Sequence, residues 1–123
     1  MCIRKWSNIK TTKILKKNYE FRNVLKNGKK ISGEFLSVFV LKNQFNYNFL
    51  GLAISTKFGN AVQRNKIKRF LRENYKNLEQ NLCKGYNFVF LIKKDFNKKE
   101  LNYQNVKTDM INIFKKAKLI DLM

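Results

Sequence analysis

The order of hydrophobic patterns along this 123-residue chain is the strongest constraint on its fold. Two segments, KKISGEFLSVFVLKN and YNFLGLAIST, have strand-type alternation, and a third, YNFVFLIKK, is a short apolar run bounded by charge. The stretches around them carry apolar residues three and four positions apart, which is helical spacing. The order helix, strands, helix, strand, helix predicts an α+β fold in one domain.

The first helix and the segment before it set the predicted domain boundary. Residues 1–17 are basic and lack periodicity, which predicts an N-terminal arm followed by a domain over residues 18–123. Asn18 is suited to be an N-cap, and Gly28 is expected to end the first helix in a left-handed conformation.

Two longer helices are predicted in the second half of the chain. Gly59 and Asn60 break the second strand and cap a helix over residues 61–80. A last amphipathic helix is expected over about residues 99–118, with its apolar face on the sheet.

The charge balance indicates the class of partner. Lys and Arg number 27 against 8 Asp and Glu, which gives a formal net charge of +19. Self-repulsion at that level disfavours a compact state, and a polyanionic partner is the simplest reason to carry it. An AT-rich coding bias explains a preference for Lys over Arg, but it does not explain the scarcity of acids. The balance therefore favours nucleic acid binding.

Several classes of function are disfavoured by the residues that are missing. The sequence contains no histidine, which removes Ser-His and Cys-His nucleophilic pairs and His-ligated zinc. The N-terminal segment lacks an apolar core of signal-peptide length, and no run approaches a membrane span. We therefore expect a cytoplasmic protein with no membrane partner, no catalytic residue and no metal site of its own.

The helix predicted over residues 61–80 separates apolar from cationic residues. At 100° per residue one side carries Ile67, Phe70, Leu71, Tyr75 and Leu78. The opposite side carries Asn65, Lys68, Arg69, Arg72 and Lys76. Like charges at i, i+4 cost a few tenths of a kcal/mol each, whereas neutralising a phosphate backbone releases counterions. RNA or DNA binding is favoured over a merely solvated face.

RNA fits the rest of the chain better than DNA. A recognition helix in a major groove needs a helix-turn-helix partner or a dimer, and the sequence offers neither clearly. Aromatic residues on two strand faces could instead stack on unpaired bases, although aromatic residues in a strand more often form core. Tyr47 and Phe49 are interpreted as core or sheet surface, with no function assigned.

The segment STKFGNAVQRNKIKRFLREN closely resembles the signature of the bacterial ribonuclease P protein subunit. In that family Lys-x-Gly-Asn-Ala-Val leads into Arg-Asn-Arg-x-Lys-Arg-x-x-Arg. The matching residues are Lys57, Gly59, Asn60, Ala61, Val62, Arg64, Asn65, Lys68, Arg69 and Arg72. The first helix, EFRNVLKNGKK, is similar to a second family pattern through Phe21, Val24 and Gly28. The resemblance covers roughly residues 12–118.

This resemblance implies a role in removing the 5′ leader from precursor tRNA. The RNA subunit of that enzyme is expected to hold the magnesium ions and cut the bond, so the protein alone would be inactive and bind no cofactor. The implied partners are the ribonuclease P RNA and precursor tRNA, not DNA. The implied fold is an α-β sandwich with a left-handed strand-helix-strand crossover.

The resemblance also implies two groups of binding residues. Those for RNA are Lys57, Asn60, Arg64, Asn65, Lys66, Lys68, Arg69, Arg72 and Lys76. Phe21, Leu25 and Phe39 would line a cleft for the single-stranded leader, although Phe21 and Phe39 also suit a core. Lys66 departs from the family pattern, because lysine keeps the charge of arginine but loses its bidentate fork. Leu25 stands where many relatives have an aromatic residue.

Two alternatives remain at this point. A ribosomal or RNA-chaperone protein could share the small α+β architecture and the charge without any role in cleavage. A stand-alone nuclease would need a convergent group of carboxylates, and the eight acids are dispersed along the chain.

Overall fold

The computed structural model describes residues 12–93 and 100–120. In chain order the helices and strands are β1 (Thr12–Ile14), α1 (Asn18–Asn27), β2 (Lys29–Ser32), β3 (Leu36–Lys42), β4 (Asn48–Leu52), α2 (Ala61–Leu78), β5 (Tyr86–Ile92) and α3 (Tyr103–Lys116). The strands form one sheet in the order β1-β4-β5-β3-β2. The predicted α+β domain is confirmed.

The sheet mixes antiparallel and parallel pairs. β2 and β3 are joined by a short turn and pair in antiparallel fashion, as such neighbours commonly do. β3 also pairs with β5 in antiparallel fashion, although β4 and α2 lie between them in the chain. β4 and β5 are parallel, with Leu50 opposite Phe88, and α2 makes the crossover between them. The handedness of this crossover stays a prediction from the family resemblance.

The larger core lies between the sheet and the pair α2 and α3. Its fully buried side chains come from both layers: Leu36, Val38, Phe88 and Phe90 from strands, and Leu71, Val106, Met110, Ile113 and Phe114 from helices. The ring of Phe114 meets Phe88 edge-on at 5.3 Å and Phe90 at 6.0 Å between centroids. Burying each such ring contributes roughly 1.5–3 kcal/mol. The apolar side predicted for the middle helix is buried throughout, as expected.

The opposite face of the sheet carries α1 and a smaller core. Leu15, Val24 and Val89 are buried there, and half-buried residues surround them. The alternation predicted for the second strand is confirmed, since Leu50 belongs to the larger core and Phe49 to the rim of the smaller one. The sheet therefore separates two apolar layers.

The predicted N-terminal arm requires revision for residues 12–17. β1 pairs in parallel with the edge of β4, and Leu15 next to it is buried. The hydroxyl groups of Thr12 and Tyr75 lie 2.8 Å apart. A three-residue edge strand is too short for visible alternation, which is why the sequence did not indicate it. Residues 1–11 of the predicted arm lie outside the described residues.

The first helix begins differently from the prediction. Asn18 is its first residue, and Lys17 occupies the N-cap position. The Glu20 carboxylate accepts hydrogen bonds from the backbone N–H groups of Lys17 at 2.9 Å and Lys16 at 3.1 Å. These bonds lower the pKa of Glu20. The cap is therefore supplied from inside the helix, and Asn18 is not needed for it.

Gly28 is required for a reason other than the predicted left-handed conformation. Its φ and ψ are −81° and 164°, which any residue can adopt. A Cβ at this position would stand 2.5 Å from the carbonyl oxygen of Val24 and 3.0 Å from that of Val40. Glycine allows the end of α1 to approach β3 closely.

The segment predicted as one long strand, KKISGEFLSVFVLKN, is a hairpin. β2 and β3 are separated by a turn at residues 33–35. The buried carboxylate of Asp109 on α3 accepts the N–H groups of Glu34 at 2.5 Å, Phe35 at 2.9 Å and Leu36 at 2.7 Å. The backbone N–H groups of this turn are hydrogen-bonded by a residue that is distant in sequence. The segment therefore contains few of the residues that usually indicate a turn.

Asparagine side chains begin both long helices. Asn60 Oδ1 accepts the N–H of Gln63 at 2.9 Å, as predicted for α2. Asn102 Oδ1 accepts the N–H of Asn105 at 2.8 Å, so α3 begins at Tyr103, later than predicted. Within the described residues, none of the helices α1, α2 and α3 is both long enough and apolar enough to cross a membrane.

Candidate nucleic-acid interface

The outward side of α2 presents one continuous cationic surface. This basic face consists of Asn65, Lys66, Lys68, Arg69, Arg72 and Lys76. Its members are exposed, apart from Lys68, which is half-buried. Within residues 12–93 and 100–120 none of these cations is paired with a carboxylate. The charges remain available to an external anion.

Two of these cations lie beside an aromatic ring. Lys66 Nζ is 5.8 Å and Arg69 Cζ is 5.4 Å from the centroid of Phe70. At exposed sites such contacts are worth roughly 0.5–1 kcal/mol. They hold the two stems near the helix surface while leaving both charged groups exposed.

The segment leading into α2 is fixed by its own polar groups. The Arg64 guanidinium donates to the carbonyl oxygen of Gly59 at 2.6 Å, and Arg64 is half-buried. The backbone N–H of Asn60 donates to Gln63 Oε1 at 2.9 Å, completing a reciprocal cap. Lys57, just before it, is exposed. Arg64 and Asn60 therefore shape the start of α2 in addition to any role toward RNA.

The three predicted cleft residues lie where α1 packs on the sheet, Phe21 and Leu25 on α1 and Phe39 on β3. Phe21, Leu25 and Phe39 are all half-buried and pack against the smaller core. Each side chain contributes to packing and keeps some exposed surface, and contact with the leader stays a prediction. A Cβ at Gly51 would stand 2.6 Å from Phe21 Cε1, so the ring lies directly on the β4 backbone.

A depression at the edge of the sheet connects the cleft with the basic face. Its volume is about 150 Å³. It is lined by Ile14, Leu15, Phe21, Leu50, Leu52, Lys68 and Arg72. Sequence reasoning treated the cleft and the helix as separate sites and missed the contribution of β1. The only signal available was the apolar pair Ile14 and Leu15 within a basic stretch.

A buried polar network holds the edge strand next to this depression. Tyr75 OH lies 2.8 Å from Thr12 Oγ1 and 3.4 Å from Asn48 Nδ2. Asn48 also donates to the Cys83 carbonyl at 2.9 Å and accepts the N–H of Tyr86 at 3.0 Å. Burial raises the pKa of Tyr75 to about 12. The network ties β1, β4 and β5 to α2.

Two carboxylates of the described residues, those of Glu20 and Asp109, accept backbone N–H groups. Glu20 caps α1 and Asp109 binds the turn before β3. The Glu79 carbonyl accepts Lys84 Nζ at 3.1 Å, and burial lowers the pKa of Lys84. Among the described residues no three His, Cys, Asp or Glu side chains converge as metal ligands would.

Known proteins match this chain in both sequence and fold. The Ribonuclease P family model matches residues 9–118. The ribonuclease P protein component of Clostridium botulinum strain 657 is 41% identical over 104 residues, which are 84% of this chain and 92% of the relative. That of Natranaerobius thermophilus is 39% identical over 106 residues, or 86% and 90% of the two chains.

Two solved structures have the same architecture. The RNase P protein of Staphylococcus aureus superposes with a TM-score of 0.78 at 28% identity, covering 88% of this chain and 97% of the other. The RNase P protein from Thermotoga maritima gives a TM-score of 0.77 at 28% identity, covering 85% and 96%. With the family model and the sequence relatives, they establish that this chain belongs to the family of bacterial ribonuclease P protein components.

Proposed function

We propose that this chain binds the catalytic RNA of ribonuclease P through the basic face and Lys57. It holds the single-stranded 5′ leader of precursor tRNA in the cleft beneath α1. The RNA subunit carries the magnesium ions and breaks the phosphodiester bond, and the protein contributes affinity and positioning. The cytoplasm is the compartment in which we expect this activity.

The depression between the cleft and the basic face carries the proposal. Phe21 of the cleft and Lys68 and Arg72 of the basic face line the same depression. A single RNA strand can therefore meet a flat ring and two phosphate-binding cations at one place. Stacking of a base on an aromatic side chain and neutralisation of phosphates are the two main terms in binding of single-stranded RNA.

The charge of α2 supports a phosphate backbone as its partner. Arg69, Arg72 and Lys76 are exposed and have no carboxylate partner within the described residues. Each phosphate they neutralise steepens the fall of log K with log salt concentration by roughly 0.7–0.9, depending on the strandedness of the RNA. A folded RNA offers enough closely spaced phosphates to match several such cations at once.

Individual residues are suited to different contacts. Asn60 Oδ1 is engaged in the helix cap, so its RNA contact would come from Nδ2. Arg64 would act partly by holding the Gly59 carbonyl in place. Lys66 provides a compact point charge instead of a planar fork. It therefore cannot bind a phosphate through two parallel hydrogen bonds as arginine does.

Reconstitution with the RNA subunit tests the proposal. The protein alone should leave precursor tRNA intact, and with the RNA subunit it should raise the affinity for precursor in a leader-dependent manner. Arg69→Ala should weaken RNA binding and reduce its salt slope by roughly 0.7–0.9 log units. Lys107→Ala is the matched control, because Lys107 is an exposed cation on α3.

Three results would contradict the proposal. Equal enhancement with leaderless tRNA would remove the cleft from leader binding. An unchanged salt slope in Arg69→Ala would remove the basic face from the interface. Ribosomal RNA as the main species cross-linked in cells would favour a ribosomal or chaperone role.

A further inference from the structure

Three aromatic rings and a lysine form a partly exposed cluster beside the turn between β3 and β4. The Phe45 and Tyr47 rings stack at 5.1 Å between centroids, with 23° between their planes. Phe49 contacts both, at 5.9 Å and 5.4 Å. Lys13 Nζ lies 4.8 Å from the centroid of Tyr47. We call Phe45, Tyr47, Phe49 and Lys13 the aromatic platform.

The turn that carries the platform is held by hydrogen bonds. Asn43 Oδ1 accepts the N–H of Phe45 at 2.8 Å, and its Nδ2 donates to the Tyr47 carbonyl at 3.3 Å. The N–H of Asn43 donates to the Gly85 carbonyl at 2.8 Å, anchoring the turn to the loop before β5. Fixed rings lose little conformational freedom when a ligand stacks on them.

Packing of the three rings against one another covers only part of their surface. Phe45 remains 54% exposed although it is stacked on Tyr47, so much of its ring surface is open. Phe49 is half-buried and joins the platform to the smaller core. An open ring on a fixed turn with an ammonium group nearby has the elements of a stacking site for single-stranded RNA.

The platform continues the face that holds the proposed leader cleft. Phe49 and Gly51 are two residues apart on β4 and therefore point to the same side of the sheet. Phe21 lies on Gly51, and Lys13 of β1 is paired in register with Phe49. An RNA strand leaving the cleft along β4 would meet Phe49 and then the stacked pair. The net charge of +19 makes a polyanion the complementary occupant.

We propose that the aromatic platform is a second site for single-stranded RNA, which receives bases of a 5′ leader long enough to extend past the cleft. This inference rests on the proposed leader-binding function and deepens it. Phe45 and Tyr47 stack on bases, and Lys13 binds a neighbouring phosphate. With the platform, affinity for precursor tRNA should keep rising with leader length after the cleft is filled.

Binding of fluorescently labelled precursor tRNA to the reconstituted holoenzyme tests the platform. One substrate has a leader that only fills the cleft, and the other has a leader several nucleotides longer. Phe45→Ala should weaken binding of the long-leader substrate by roughly tenfold and leave the short-leader substrate unchanged. Phe45→Leu should behave like Phe45→Ala, because it keeps apolar bulk without an aromatic face.

Two further variants test the charge of Lys13 and control for the loss of any exposed aromatic ring. Lys13→Gln should reduce the salt slope for the long leader by roughly 0.7 log units, while Phe45→Ala should leave that slope unchanged. Tyr19→Ala is the matched control, since Tyr19 is an exposed ring with Lys17 Nζ 5.7 Å from its centroid. It should bind both substrates like the wild type.

The outcomes distinguish failure of this inference from failure of the proposed function. If Phe45→Ala binds the long leader normally while Arg69→Ala loses RNA affinity, the platform inference is overturned and the proposed function stands. If neither change affects binding, both are overturned. If Phe45→Ala abolishes a dimer in sedimentation and leaves RNA affinity intact, the platform is a self-association surface and the inference is wrong.

Discussion

The ring of Phe21 lies directly against the backbone of Gly51. A Cβ added at Gly51 would stand 2.6 Å from Cε1 and 2.9 Å from Cζ of that ring, and 3.0 Å from Cδ1 of Leu15. β4 therefore needs glycine where the first helix lays its aromatic side chain across the sheet. This contact sets the depth of the cleft and places Phe21 beside the depression shared with α2.

Gly51→Ala should displace Phe21 from the sheet and deform the cleft. We expect a loss of about 1–3 kcal/mol in the free energy of unfolding, as for other overpacked cores. Leader-dependent affinity for precursor tRNA should fall, while affinity for the RNA subunit stays closer to wild type because most of the basic face lies outside the depression that Phe21 lines. Urea unfolding and the two binding assays measure these effects. Unchanged leader dependence would show that the position of Phe21 does not matter for the leader.

Asp109→Asn should destabilise the fold strongly. The carboxylate accepts three backbone N–H groups at the turn before β3, and an amide side chain supplies only one oxygen as acceptor. Charge-assisted bonds to buried amides imply a loss of about 3 kcal/mol in urea unfolding. Glu100→Gln, at an exposed position before α3, is the control. Equal stability of the two variants would refute a structural role for Asp109.

Stability should decline at alkaline pH because of Tyr75. Its pKa is raised by burial to about 12, against an ordinary value of 10.0. Between these values the unfolded chain loses the phenolic proton and the folded chain retains it, so the stabilisation present below pH 10 is lost by about pH 12. The slope should be roughly 1.4 kcal/mol per pH unit.

Urea unfolding across this range, compared with Tyr75→Phe, isolates the contribution of Tyr75. The variant should be less stable near neutrality because Thr12 and Asn48 lose a hydrogen-bond partner. Its alkaline slope should be shallower than that of the wild type. Tyr19→Phe alters an exposed ring and should keep the wild-type slope. Parallel curves for wild type and Tyr75→Phe would contradict the assignment.

Lys66→Arg should strengthen binding of the RNA subunit. Lys66 is exposed on the basic face and already lies beside the Phe70 ring, which also accommodates Arg69. A guanidinium there could bind phosphate through two hydrogen bonds and stack on the ring. We expect roughly two- to fivefold tighter binding with an unchanged salt slope, since the charge is the same. Lys107→Arg should have no effect, and weaker binding by Lys66→Arg would contradict the phosphate role.

Periodicity made most of the fold predictable. The separation of Ile67 and Leu71 from Arg69 and Arg72 appears in the sequence as helical spacing and in the structure as a buried and an exposed face. The Asn60 cap was equally predictable, because the cap is local and its partner Gln63 lies three residues away. Features determined by neighbours in sequence can be derived from sequence.

Features that depend on distant residues were missed. β1 exists because β4 offers an unpaired edge and Tyr75 a hydroxyl group, neither of which is visible from residues 12–14. The β2–β3 turn was hidden because its amides are satisfied by Asp109. Likewise Phe21 and Lys68 line one depression only because α1, α2 and the edge of the sheet meet there, which the sequence does not indicate.

The Asp109 contact also has a consequence for the order of events during translation. The N–H of Glu34 leaves the ribosome 75 residues ahead of the carboxylate that accepts it. At typical elongation rates this is an interval of about 4–15 s in which the nascent hairpin has only water as a partner for that amide. Completion of the native turn is therefore a late step, reached only when nearly the whole chain has been synthesised.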